Sequence, residues 1–238
     1  RRHRSTYRPS GSHGFRLPVQ CSSLAAPSAG GVRLPTRPRP SRFQLGGSAA
    51  HLMRRSIHIL SGLLPFVYYH FLALIPQHLV ISGPQLISAI IMINILIEAI
   101  RLRFRVILPG HRDYERMQPS SLAWGLLSMC MVILVVPGGS AYAIPIILGY
   151  ALVDPLLGEC RFRKMSVTKV RIIGIIALST IWLLSSYFIG TLWWFFLFMA
   201  PITLAAEHPN LKYVDDNAMM QLIPLAICLI LAPWLGMM

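Results

Sequence analysis

Asp215, Asp216 and Asn217 stand in succession at the head of an apolar run, and Asp154 lies between apolar stretches in Leu-Val-Asp154-Pro155-Leu-Leu-Gly158-Glu159. Carboxylates and a neighbouring amide are hard oxygen donors, the kind that bind magnesium together with substrate phosphates. Asp and Asn are also good helix N-caps, and a helix dipole favours an acid at that position. Two adjacent carboxylates with an amide exceed what a cap requires. Nothing close in sequence neutralises Asp154, and Pro155 and Gly158 predict a broken helix end, tolerated at membrane depth only where the backbone lines protein or water. His58 follows Arg54 by four residues and so shares its helix face, with Arg55 and Ser61-Gly62 flanking it. Glu98 has Arg101 three residues on along the same face, and an ionisable group at such depth needs a partner or a polar cavity. A structural ion pair and a site component both remain open for Glu98.

The elements that must position these residues are apolar helices. The chain has 238 residues, 55% of them hydrophobic and only 13% charged, too apolar for an ordinary soluble domain. Apolar runs fall at about 57–75, 84–100, 121–137, 139–153, 170–189, 191–206 and 218–236. A spanning helix takes roughly 20 residues, with about 17 to 25 tolerated, so these runs predict an all-α, polytopic membrane bundle of about seven transmembrane helices. Beyond Met53 there are thirteen Lys and Arg, all on alternate connections: Arg54 and Arg55 before the first run, Arg101 to Arg116 after the second, Arg161 to Arg171 after the fourth, Lys212 after the sixth. The positive-inside rule places those connections, and with them the N-terminus, on the cytoplasmic, stromal or matrix side. All eight acids (Glu98, Asp113, Glu115, Asp154, Glu159, Glu207, Asp215 and Asp216) fall on the same side. Asp113 and Glu115, in an Arg-rich loop, read as solvated counter-ions.

Residues 1–53 stand apart, with nine Arg, no acid and no helical apolar period. They are expected to be a disordered segment, either a transit peptide or an upstream extension of the reading frame, with the membrane domain spanning 54–238. The net charge of +14 owes much to this segment, and basic cytoplasmic loops supply the remainder, so the charge does not indicate nucleic-acid binding. Four scattered cysteines form neither a disulfide framework nor a zinc motif.

Arg54-Arg55-Ser-Ile-His58-Ile-Leu-Ser-Gly62 resembles the Arg-Lys-x-x-His-x-x-x-Gly element of the CTP-dependent lipid kinases, the group of dolichol, phytol and yeast-type diacylglycerol kinases within the phosphatidate cytidylyltransferase superfamily. Glu98-x-x-Arg101 is similar to that family's Glu and Arg ending the second helix. Asp154-Pro-Leu-Leu-Gly158 resembles its Asp-Pro-Leu-Ala loop, and Asp215-Asp216-Asn217 with the later Pro224 resembles its Asp-Asn and proline element. The family's Lys-Thr or Lys-Ser followed by Glu-Gly-Ser is replaced here by Lys164-Met-Ser-Val-Thr-Lys169. The resemblance implies transfer of the CTP γ-phosphate to a membrane lipid alcohol (a polyprenol or dolichol, phytol or diacylglycerol) at the inner interface. It implies magnesium on Asp154, Asp215 and Asp216, and phosphate contacts from Arg54, Arg55, Arg101, Lys164, Lys169 and Asn217. His58, Glu98 and Asp154 would be the catalytic groups. The protein would then be a multi-pass enzyme of a bacterial inner membrane, the endoplasmic reticulum or a plastid. An inactive relative, or a transporter or scaffold whose acids merely pair with its arginines, is the alternative.

Overall fold

A computed structural model describes residues 47–71, 81–107, 111, 113–209, 211 and 213–236. Among them the fold is all-helical, with no strand. Helix α1 (Gly47–Ser61) turns at Gly62 into a short α2 (Leu64–Phe66) and a π turn to Phe71, followed by α3 (Gly83–Phe104) and α4 (Ser121–Val135). A long rod comes next, made of α5 (Ser140–Leu148), a π turn (Gly149–Val153) and α6 (Asp154–Phe162). The bundle is completed by α7 (Val167–Ile189), α8 (Phe196–Ala206) and α9 (Asp216–Leu235). Four segments are long and apolar enough to cross a membrane: Gly83–Phe104, Ser140–Phe162, Val167–Ile189 and Asp216–Leu235. Ser121–Val135 and Trp193–Ala206 are apolar but shorter.

Each apolar run of the sequence is mainly helical over its described part, and two expectations are corrected. Helix α1 begins at Gly47, inside the stretch expected to lack structure, because Ala49, Ala50, Leu52 and Met53 are good helix formers that extend the turn carrying Arg54 and His58. Residues 1–46 of that stretch lie outside the described residues, as do His78 and Lys212. The second correction concerns Pro155, which does not end a helix. The rod runs on to Phe162, about two turns further, because the widened π turn of Gly149–Val153 takes up the missing proline N–H and the bulk of its ring. Asp154 therefore projects from inside a continuous rod.

Packing follows from helix faces rather than from charge. One apolar core gathers Ile147, Trp182, Phe195, Met199 and Cys228. A second, nearer the charged end, gathers Val153, Leu157, Leu178, Ala200 and Leu204. At Gly62 an added Cβ would meet Ala151 Cβ at 3.1 Å, so the glycine lets the end of α1 lie against the π turn. Hydrogen bonds between elements supplement the dispersion contacts: Tyr69 Oη donates to the Ile133 carbonyl (3.2 Å), Asn94 Nδ2 to Ala123 (3.1 Å) and Thr191 Oγ1 to Ala141 (2.5 Å). The outward faces stay apolar, with Met92, Ile93, Leu96, Ile97 and Ile100 exposed along α3. Such a surface suits a lipid environment and would be an aggregation hazard in water.

Candidate functional site

The charged residues, far apart in sequence, meet at one end of the bundle. His58 of α1 is buried, and its Nδ1 lies 3.6 Å from Asp154 Oδ2 at the head of α6, an ion-pair separation rather than a hydrogen bond. Its ring packs on Tyr150 of the π turn with centroids 4.1 Å apart. Arg54 and Asp215 both act electrostatically on this histidine, and Asp154, Asp215, Asp216 and Arg54 all act on the Tyr150 phenol. Thus α1, the π turn with α6, and α9 converge on one small volume. The π turn is the local cause, because it sets the angle at which Tyr150 and Asp154 leave the rod.

Asp215 is fully buried and caps α9, its Oδ1 accepting the Asn217 N–H at 3.1 Å. Asp216 Oδ1 accepts the same N–H at 3.0 Å. Asn217 is itself buried, and its carbonyl accepts from Gln221 Nε2. The capping function expected of this acid pair is therefore present, in addition to its approach to Asp154. Two atoms in this volume are buried and meet no partner in hydrogen-bond geometry, Nε2 of His58 and Nη1 of Arg54, while the Tyr150 backbone lies close enough to the His58 ring to act on it. The other terminal nitrogen of Arg54, Nη2, donates to Ser121 Oγ at 2.8 Å.

No protein-family model, curated protein or solved structure matches this chain.

Other expected site residues go elsewhere. Arg55 pairs with Glu159, which Arg163 also engages at 3.1 Å, so that side chain ties α1 to α6. Glu98 and Arg101 form a two-point pair, 2.8 Å from Nε and 2.7 Å from Nη2. Arg101 also donates to the carbonyls of Val106, Glu115 and Gln118. Glu98 accepts from the Ser120 N–H at 2.5 Å. Every lobe of this pair is thus turned to the loop between α3 and α4. Glu98, expected among the catalytic groups, is bonded by Arg101 and Ser120 and anchors this loop. Arg101, expected among the phosphate contacts, makes its described bonds to Glu98 and to the loop carbonyls. Lys164 ends α6 in a left-handed turn with φ 56°, and Lys169 lies in the first turn of α7; both are exposed.

The magnesium expectation is narrowed as well. Among the described residues no group of three or more His, Cys, Asp or Glu side chains could hold a metal ion. Asp154 faces His58 from the rod, whereas Asp215 turns back to its own helix backbone, so a cage made by the three aspartates alone does not form. What these residues do fit is a magnesium that brings most of its shell with it, as phosphate oxygens and water, and takes one or two carboxylates from the protein.

Several participants carry no sequence signal of their own. Glu115, read as a solvated counter-ion, is buried and accepts from both the backbone N–H and Oγ of Ser121, the residue that holds Arg54. His111 is buried beside it. Desolvation holds the His111 imidazole below its ordinary value of 6.5, Arg101 and Arg54 acting in the same direction and Glu115 against it. Tyr150 was visible only as a residue four before Asp154, on the same face.

Proposed function

We propose that this bundle is a seven-span membrane enzyme, N-terminus inside, that transfers the γ-phosphate of CTP to the hydroxyl of a membrane lipid alcohol at its charged face. The observation that carries the reading is the convergence of His58, Arg54, Asp154 and Asp215 from three helices, with His58 Nε2 and Arg54 Nη1 buried and unpartnered. Unsatisfied polar atoms of that kind are costly in a resting protein and are met by a ligand that brings a hydroxyl and an oxyanion.

Phosphoryl transfer asks chiefly for positioning and charge neutralisation. In this reading Arg54 receives a phosphate oxygen on Nη1 while Ser121 fixes its other nitrogen. His58, oriented by Asp154 at Nδ1 and by the Tyr150 ring, takes the proton of the lipid hydroxyl at Nε2. Asp154 then stabilises the imidazolium so formed. Asn217 and the exposed Lys164 and Lys169 add neutralising or hydrogen-bonding groups to the nucleotide side. One or two of Asp154, Asp215 and Asp216 would hold magnesium delivered with the triphosphate, whose chemistry is to neutralise the transferring phosphoryl oxygens.

A second reading, a non-catalytic relative or scaffold, is favoured by one observation: Arg55 and Arg101, two of the expected phosphate contacts, are already paired with Glu159 and Glu98. One experiment divides the two. Purified protein in lipid nanodiscs is given γ-labelled CTP, magnesium and a panel of prenols, phytol and diacylglycerol. Labelled lipid phosphate with at least one acceptor is expected; no product with any acceptor and no CTP-dependent thermal shift would sink the kinase reading.

A further inference from the structure

Below the charged face a second polar group, centred on Gln221 and Ser128, lies deeper in the bundle and meets the charged face at Tyr150. Gln221, one turn beyond Asn217 on α9, is fully buried inside a segment long and apolar enough to span a membrane. That turn places it about 6 Å further along α9 than Asn217. Its Nε2 donates to Ser128 Oγ at 2.8 Å and to the Asn217 carbonyl at 3.1 Å, and lies 3.5 Å from the Gly125 carbonyl. Backbone carbonyls only accept, so the amide nitrogen must face them and the side-chain oxygen must point the other way. That oxygen, Oε1, is buried and has no hydrogen-bond partner.

Gly125 of α4 joins this group to the charged face. A Cβ at that position would come within 2.5 Å of the Tyr150 hydroxyl, so the glycine makes room for the phenol beside the same peptide that lies next to Gln221. A continuous line of polar groups thus runs from His58, through the stacked Tyr150 ring and Gly125, to Gln221 and Ser128. The deep end of this line is uncharged: an amide, two hydroxyls and backbone carbonyls. A cation or anion placed there would lose its hydration without a counter-charge, whereas a neutral donor would satisfy Oε1 directly.

We infer that Gln221, with Ser128 and Tyr150, forms a subsite for the hydroxyl of a long-chain neutral alcohol, its oxygen donating to Gln221 Oε1 and its apolar chain lying among the helices. This deepens the proposed function, resting on it for the identity of the acceptor as an alcohol, and gives the alcohol a resting position below the charged face. Its single hydroxyl proton is donated to Gln221 Oε1 there and turns to His58 Nε2 only when the alcohol moves up for transfer. Binding at the subsite does not require CTP, so it is measured separately from turnover.

The test uses the full chain in nanodiscs and a photoreactive long-chain primary alcohol, compared with the same molecule as its methyl ether. The alcohol is expected to crosslink to peptides of α4 and α9, to be competed by unlabelled long-chain alcohol, and to label about tenfold more than the ether, the worth of roughly one hydrogen bond. Gln221→Leu should bring alcohol labelling down to the ether level, and Gly125→Ala, which crowds the Tyr150 hydroxyl, should weaken it with Gln221 intact. Gln221→Met, of similar volume and without an acceptor oxygen, is the second variant that keeps the test valid if Gln221→Leu fails to fold, and it should likewise bring alcohol labelling down to the ether level. Equal labelling by alcohol and ether, or unchanged preference in folded Gln221→Leu or Gln221→Met, would overturn the subsite and assign Oε1 to an internal water. Loss of CTP turnover with labelling intact would count against the kinase reading alone.

Discussion

Two polar clusters lie at the charged end of this bundle, and they are built in opposite ways. Around Arg101 the guanidinium is fully engaged, with two bonds to Glu98 and three to loop carbonyls, and the unanswered atom nearby is an uncharged acceptor, Gln118 Oε1. Around His58 the cluster is left incomplete, with a 3.6 Å ion pair and two buried nitrogens without partners. A satisfied buried network holds backbone in place, whereas an incomplete one raises the energy of the resting state and is justified by what it later binds. Burial and charge alone do not separate the two, since both contain a buried ionisable residue paired with an acid. The count of answered hydrogen bonds does.

The sharpest way to break this contrast is to change each cluster by one atom or one side chain. Asp154→Asn keeps shape and removes the charge facing His58. In the labelled-CTP assay turnover should fall by about a thousandfold, within the range general acid-base groups contribute, while the thermal midpoint stays close to that of the parent. Arg101→Ala should do the reverse. Removing it leaves Glu98 and three loop carbonyls without their donor, and chemical or thermal unfolding should show a loss of about 3 to 5 kcal/mol, with turnover falling only in step with the folded fraction. If Asp154→Asn proves the more destabilising of the pair, the division into anchor and site is wrong.

A smaller effect comes from His111, which sits against the anchored cluster. Its folded-state pKa is depressed, mainly by burial, so the unfolded chain binds the proton more readily. The stability this contributes is complete above pH 6.5 and is lost as pH falls below that value toward the folded pKa. Unfolding midpoints measured between pH 7.5 and 5 should therefore drop at the acid end, and His111→Gln should flatten that drop. An unchanged slope in the variant would remove His111 from the account.

Much of this arrangement was legible from the chain alone, because it depends on long-range regularities. Seven apolar runs predicted where helices lie, and the alternation of charged and uncharged connections predicted that His58, Asp154 and Asp215 would share an end. The i, i+3 spacing of Glu98 and Arg101 put them on one helix face, with an ion pair and a site role both open, and the two are paired. What the sequence did not reveal depends on backbone detail. Proline normally signals a break, and nothing in Gly149-Tyr-Ala-Leu-Val153 announces a π turn that absorbs it, so Asp154 was expected at a helix end. Glu115 looked solvated because its loop is rich in arginine, yet that loop folds inward onto Arg101. Gln221 has no charge and no motif; only its environment reveals an acceptor turned away from every donor. Lys164 and Lys169, basic residues in a suggestive order, are exposed just past the end of α6 and in the first turn of α7.

The π turn before Asp154 also fixes how the rod tolerates change. A π turn holds one residue more than the α-helical turn it replaces, so the halves of the rod on either side are out of phase by about 100°, the rotation of one residue in a helix. Deleting a single residue within Gly149–Val153 would let the rod relax to a regular helix and swing Asp154 around its axis, away from His58, with every side chain of the site still present in the sequence. Angular phase along one helix, as much as the identity of its residues, holds this cluster together.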